Sequence, residues 1–203
     1  MKWIASILVY LTVGLGVFVF HNAWIALLAF HVVIIASLFL ARPNLPISVL
    51  TKSNNLRWVI LSVLLCGSSG LTLYFLWEYF SVATDLSIQV ESFGLNISTW
   101  PAFIAYFTFV NPFIEEYFWR GYLGNSTKSF SVSDLLYAGY HGLILIDKVQ
   151  IGPIIYSLIA LITAGWFWRQ IARENQGLLA PVLSHMAADL TILLAIYWKV
   201  LAI

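Results

Sequence analysis

The sequence predicts an all-α fold, a polytopic transmembrane helical bundle of about seven spans with the N-terminus inside and the C-terminus outside. Three observations predict it. Of 203 residues, 61% are hydrophobic and 9% charged, where a soluble domain carries about a quarter charged residues, and the mean hydropathy is +0.90. Apolar stretches recur at or near the roughly 20 residues that a span requires. Bases and tryptophans mark alternate ends of those stretches. The length fits one membrane domain over residues 1–203, with spans 1–3 and an exterior loop in 1–98 and a core of spans 4–7 in 99–203. The net charge of +1 suggests neither nucleic acid nor an acidic partner; the hydrophobicity makes the lipid bilayer the expected partner and the plasma (cytoplasmic) membrane the expected location. Cys66 is the only cysteine, so no disulfide framework exists.

In order, the candidate spans are 3–20, 23–40, 56–79, 100–119, 132–146, 152–168 and 178–200. The first is long for a signal-peptide core and ends in Phe20-His21-Asn22-Ala23, a poor cleavage site, so it reads as an uncleaved span. The fifth is short. Pro101, Pro153 and Pro181 stand near span starts, where a missing N–H is harmless. Pro112 falls inside the fourth span and should kink it just before Glu115. With the N-terminus inside, Lys2, Arg42, Lys52, Arg57, Arg120, Lys128, Arg169 and Arg173 all lie inside, and only Lys148 and Lys199 outside. The exterior loop 80–99 carries no base.

Ionisable residues inside spans are costly and mark function. Glu115 lies roughly 7 Å along the helix from Arg120, and His141 and His185 fall at a similar depth on the fifth and seventh spans. Glu116 and Arg120 are four apart with the acid first, the order that favours a same-face pair, and are read as structural. Glu115 points about 100° away and is left as the candidate base. His185 shares a face with Asp189, as a carboxylate orienting an imidazole would, and Tyr137 shares one with His141. A glutamate that activates water beside polarising histidines is a workable hydrolytic site. Two histidines and a carboxylate also suit zinc, although neither HExxH nor a cysteine-based spacing is present. His31 is read as an interhelical hydrogen-bonder, Asp134 with Ser133 as a helix N-cap, and Asn111 as satisfying the kinked backbone or as part of the site.

Those residues in that order resemble the CPBP intramembrane protease family, which includes the Ras-converting type of CAAX prenyl endopeptidase and bacteriocin-processing proteins. The family's EExxxR stands here as Glu115-Glu116-Tyr117-Phe118-Trp119-Arg120, and its FxxxH as Tyr137-Ala138-Gly139-Tyr140-His141 with Tyr in place of Phe. Its HxxxN or HxxxD stands as His185-Met186-Ala187-Ala188-Asp189. The likeness runs from about Trp100 to the C-terminus. It implies an intramembrane endopeptidase in which Glu115 activates water, His141 assists, and His185 with Asp189 forms the electrophilic side. Asp189 is expected to hold His185 in place, because an ionised carboxylate cannot donate to an oxyanion. Glu116, Arg120 and Tyr137 are the supporting residues, and no cofactor is expected. The implied substrate is a peptide or membrane protein, with a prenylated C-terminus or a peptide precursor as the candidate forms. Two alternatives stay open: a zinc metalloprotease using His141, His185 and Glu115 or Asp189, and a non-catalytic immunity or scaffold protein with a protease-like core.

Overall fold

A computed structural model describes residues 2–201, and among these the secondary structure is helical apart from one isolated bridge between Val82 and Val149. The helices are α1 (Lys2–Phe18), α2 (Ala23–Ala41), α3 (Leu56–Gly67), α4 (Ser69–Phe75), α5 (Leu86–Ser92), α6 (Trp100–Phe109), α7 (Asn111–Glu116), α8 (Val132–Leu145), α9 (Ile151–Asn175) and α10 (Leu179–Val200). Ala23–Ala41, Leu56–Phe75, Ile151–Asn175 and Leu179–Val200 are long and apolar enough to cross a membrane, while Lys2–Phe18 is apolar but shorter. The flanks fit a lipid environment. Phe39 (74%), Phe75 (75%) and Tyr156 (73%) are largely exposed, an extent that a water-soluble monomer does not tolerate over a whole belt.

All seven apolar stretches are helical, yet three depart from their predicted outlines. The third breaks at Ser68, where Ser68 and Ser69 turn their hydroxyls back onto the carbonyls of Leu65 and Cys66, and passes after Phe75 into a 3-10 turn over Trp77–Phe80. The fourth is divided at Val110 and continues as a π turn from Tyr117 to Tyr122. The sixth runs two turns beyond Trp168, because Arg169 and Asn175 are buried (each 2% exposed) and hold the end of the helix to its neighbours.

Local chemistry sets the ends. Asn22 caps α2 by accepting the Ile25 N–H at 3.0 Å, and α2 stops where Arg42 turns left-handed one residue before Pro43. Helix α8 begins in a capping box: Ser131 is the N-cap, and Asp134 accepts the Ser131 N–H at 2.9 Å. The predicted cap of Ser133 with Asp134 is therefore corrected, since the capping hydroxyl sits two residues earlier.

Helix α10 is the central rod, packed on α3, α4, α6, α7 and α9, while α1 lies on α2 and α8. Gly70 lets α4 approach the backbone of Thr191 on α10 where any Cβ would collide. The main core joins Val9, Val13 and Ile34 to Phe118, Trp119, Tyr137, Tyr140 and Trp168. Its aromatic half is also the wall of the site.

Candidate active site

Two breaks in one rod frame the acids. Pro112 has no N–H to give the Thr108 carbonyl, so α6 ends and the six-residue α7 starts afresh. Below it the backbone widens into the π turn, with the Leu123 N–H on the Phe118 carbonyl at 2.8 Å, a feature that recurs at functional sites. Glu115 and Glu116 stand between these breaks, 1% and 0% exposed. Arg120, on the π turn, donates from Nη1 to Glu116 Oε1 at 3.0 Å. Its guanidinium lies over the Tyr137 ring at 3.9 Å and the Trp168 ring at 4.8 Å. Gly165 on α9 makes that possible, because a Cβ there would stand 3.3 Å from Arg120 Nη2 and 3.2 Å from the Tyr137 ring.

Glu115 faces the other way, as its position predicts, and meets a residue that motif reading passes over. The Tyr140 hydroxyl donates to Glu115 Oε2 at 2.6 Å, a length typical of a charge-assisted bond. The Tyr140 ring is stacked on His141 (centroids 4.1 Å apart) and parallel to Trp119 (6.0 Å). His141 is half-buried, and its Nδ1 donates to the Tyr137 carbonyl at 2.9 Å. A carbonyl only accepts, so the ring hydrogen is held there and Nε2 remains available. Among the described residues no hydrogen bond joins His141 to Glu115 directly; Tyr140 lies between them. Tyr137 contributes its ring and its carbonyl.

His185 is held on both sides. Nδ1 donates to Glu116 Oε1 at 2.8 Å, Nε2 is 3.4 Å from Asp189 Oδ1, and the ring stacks on Trp168 at 4.7 Å. Asp189 therefore faces His185 as expected, but the shorter contact comes from Glu116. Glu116 thus has a role beyond the pair with Arg120, since it also fixes an imidazole. The Tyr137 ring lies 5.0 Å from His141 and 6.1 Å from His185, so the acid and both histidines gather around one aromatic plate.

The polar cluster continues past Asp189. Asn111 Nδ2 donates to Asp189 Oδ2 at 3.4 Å, Asn111 Oδ1 is 3.0 Å from His31 Nε2, and His31 Nδ1 is 3.1 Å from the Tyr106 hydroxyl. His31 is the interhelical hydrogen-bonder the sequence predicts, and Asn111 belongs to the site as well as to the kink. Below the site, Asp134 pairs with Arg169 at 2.7 Å. Arg169 also donates to the carbonyls of Thr127 and Ser129, so this base is buried within the protein. Among the described residues no three His, Cys, Asp or Glu side chains converge as metal ligands.

Residues 97–191 match a family model described as type II CAAX prenyl endopeptidase, Rce1-like. The match contains Glu115, His141, His185 and Asp189 and excludes α1 through α5. No curated protein and no solved structure matches the chain.

Proposed function

We propose, from the premise that residues 97–191 are an Rce1-like type II CAAX prenyl endopeptidase domain, that this membrane protein cuts peptides by glutamate-activated water. The observation that carries the reading is the setting of Glu115. It is a fully enclosed carboxylate with one oxygen fixed by Tyr140, and its other oxygen is left to take a proton from water. His141, with Nδ1 committed to Tyr137, offers Nε2 to hold that water. His185, anchored at Nδ1 by Glu116, presents Nε2–H to the scissile carbonyl, and hydrogen bonding to the charge that develops on its oxygen lowers the barrier. Asp189 steadies that nitrogen and does not itself donate.

The remainder of the reading follows from the membrane. The seven helical stretches are assigned as spans with the N-terminus inside, which puts the site in the cytoplasmic half of a plasma membrane protein. The substrate is a peptide whose cleavage site reaches that depth, and the family's description makes a prenylated CAAX terminus the first candidate.

The test is Glu115→Gln, which keeps the shape and removes the base. Purified wild type should cleave an internally quenched farnesylated CAAX peptide, or peptides found by comparing cells that carry either form, and the variant should not. Turnover by Glu115→Gln at the wild-type rate, in a protein of unchanged thermal stability, would overturn the proposal.

A further inference from the structure

We infer that His31, on α2 and outside residues 97–191, is a positioning residue for the electrophilic side of the site. It orients Asn111, Asn111 holds Asp189, and Asp189 sets the Nε2 side of His185. The proposed function assigned that side to His185 and Asp189, and the inference rests on that assignment. The hydrogen bonds fix the direction of the chain. Ionised Asp189 only accepts, so Asn111 must turn its amide N–H toward Oδ2, as it does at 3.4 Å. That leaves Asn111 Oδ1 facing His31, and a carbonyl oxygen requires the hydrogen on Nε2, 3.0 Å away. His31 Nδ1 is then an acceptor, and the Tyr106 hydroxyl at 3.1 Å is the donor it needs. Tyr106, His31 and Asn111 thus donate in turn toward Asp189, which accepts.

Only one arrangement satisfies all four residues. If the Asn111 amide turned over, its oxygen would oppose the Asp189 carboxylate, and that repulsion selects the orientation. His31, as the Nε2–H donor, holds Asn111 in it from the other side, and its own ring is fixed: it is 2% exposed and lies against Phe30 (5.4 Å) and Tyr106 (5.6 Å). Packing alone would be met by an apolar side chain. A buried histidine with both nitrogens engaged, one link from an asparagine that reaches the site, does more. The chain also gives α2 a part in a site whose motifs all lie in the second half of the sequence.

The experiment has two arms. In the first, long-range ¹⁵N–¹H spectra of the detergent-solubilised protein should show His31 as the Nε2–H tautomer, and Asn111→Leu should shift the His185 ring signals. An Nδ1–H tautomer, or His185 signals indifferent to Asn111→Leu, overturns the inference whether or not any peptide is cut. In the second, His31→Phe should lower kcat on the farnesylated CAAX peptide roughly tenfold with KM unchanged, the scale of one misdirected hydrogen bond. His31→Gln, which retains a donor, should restore most of it. In an Asn111→Leu background, His31→Phe should add no further loss. A tenfold loss that persists in that background, or wild-type kcat in His31→Phe with only reduced thermal stability, overturns the inference. Absence of cleavage by wild type with the expected tautomer counts against the peptidase reading and leaves the hydrogen-bond chain standing.

Discussion

Asp134–Arg169 and Glu116–Arg120 are both buried acid–base pairs, and they differ in how completely they are satisfied. Every N–H of the Arg169 guanidinium finds an acceptor, on Asp134, Asn125 Oδ1 and the carbonyls of Thr127 and Ser129. Arg120 reaches Glu116 from Nη1, but Arg120 Nη2 and Glu116 Oε2 have no partner within the protein. Glu116 Oε1 is meanwhile shared with His185. A saturated pair is scaffold: it pins the 125–131 loop to α8 and α9. The pair beside the imidazole leaves two buried polar atoms that the protein itself does not satisfy, and buried polar atoms rarely stay single without reason.

That contrast can be broken most forcefully at Arg169. Arg169→Ala strands the Asp134 carboxylate in the interior and should cost about 3–5 kcal/mol, read as a large fall in the unfolding temperature in detergent. Next comes Tyr140→Phe, which removes only the hydroxyl on Glu115; kcat should drop by about tenfold to a hundredfold, the range for a hydrogen bond to a charged group, with stability nearly unchanged. Arg120→Ala should cost less stability than Arg169→Ala, about 1–3 kcal/mol, because His185 still holds Glu116, and it should also slow turnover. Equal losses at Arg120 and Arg169 would erase the distinction between scaffold and site. The smallest effect sharpens it from outside: Arg173, half-buried, and Glu174, exposed, are 3.5 Å apart, so Arg173→Ala should change stability by less than about 1 kcal/mol.

Much of this was legible in the residues, and what escaped has physical causes. Glu115, His141, His185 and Asp189 stand out because charge is rare in apolar helices, and the i, i+4 spacing of Glu116 with Arg120 gives their pairing outright. Tyr140 escaped because it precedes His141 by one position. Helical neighbours point about 100° apart, so a same-face search from His141 finds Tyr137 and misses the tyrosine that reaches Glu115. The bond from His185 to Glu116 joins residues 69 apart in sequence, and no local period encodes it. The end of α9 escaped for a different reason: the sixth candidate span ends at Trp168 with Arg169 placed outside it, when Arg169 and Asn175 are both turned inward.

The brevity of α7 carries a mechanical consequence. With a proline break above and a widened turn below, its six residues form a short axle bearing two consecutive carboxylates, one gripped by Tyr140 and the other by Arg120 and His185. Any roll of that axle carries both acids together, so under the proposed mechanism the water-activating and the carbonyl-polarising groups would come into register, or fall out of it, as a unit.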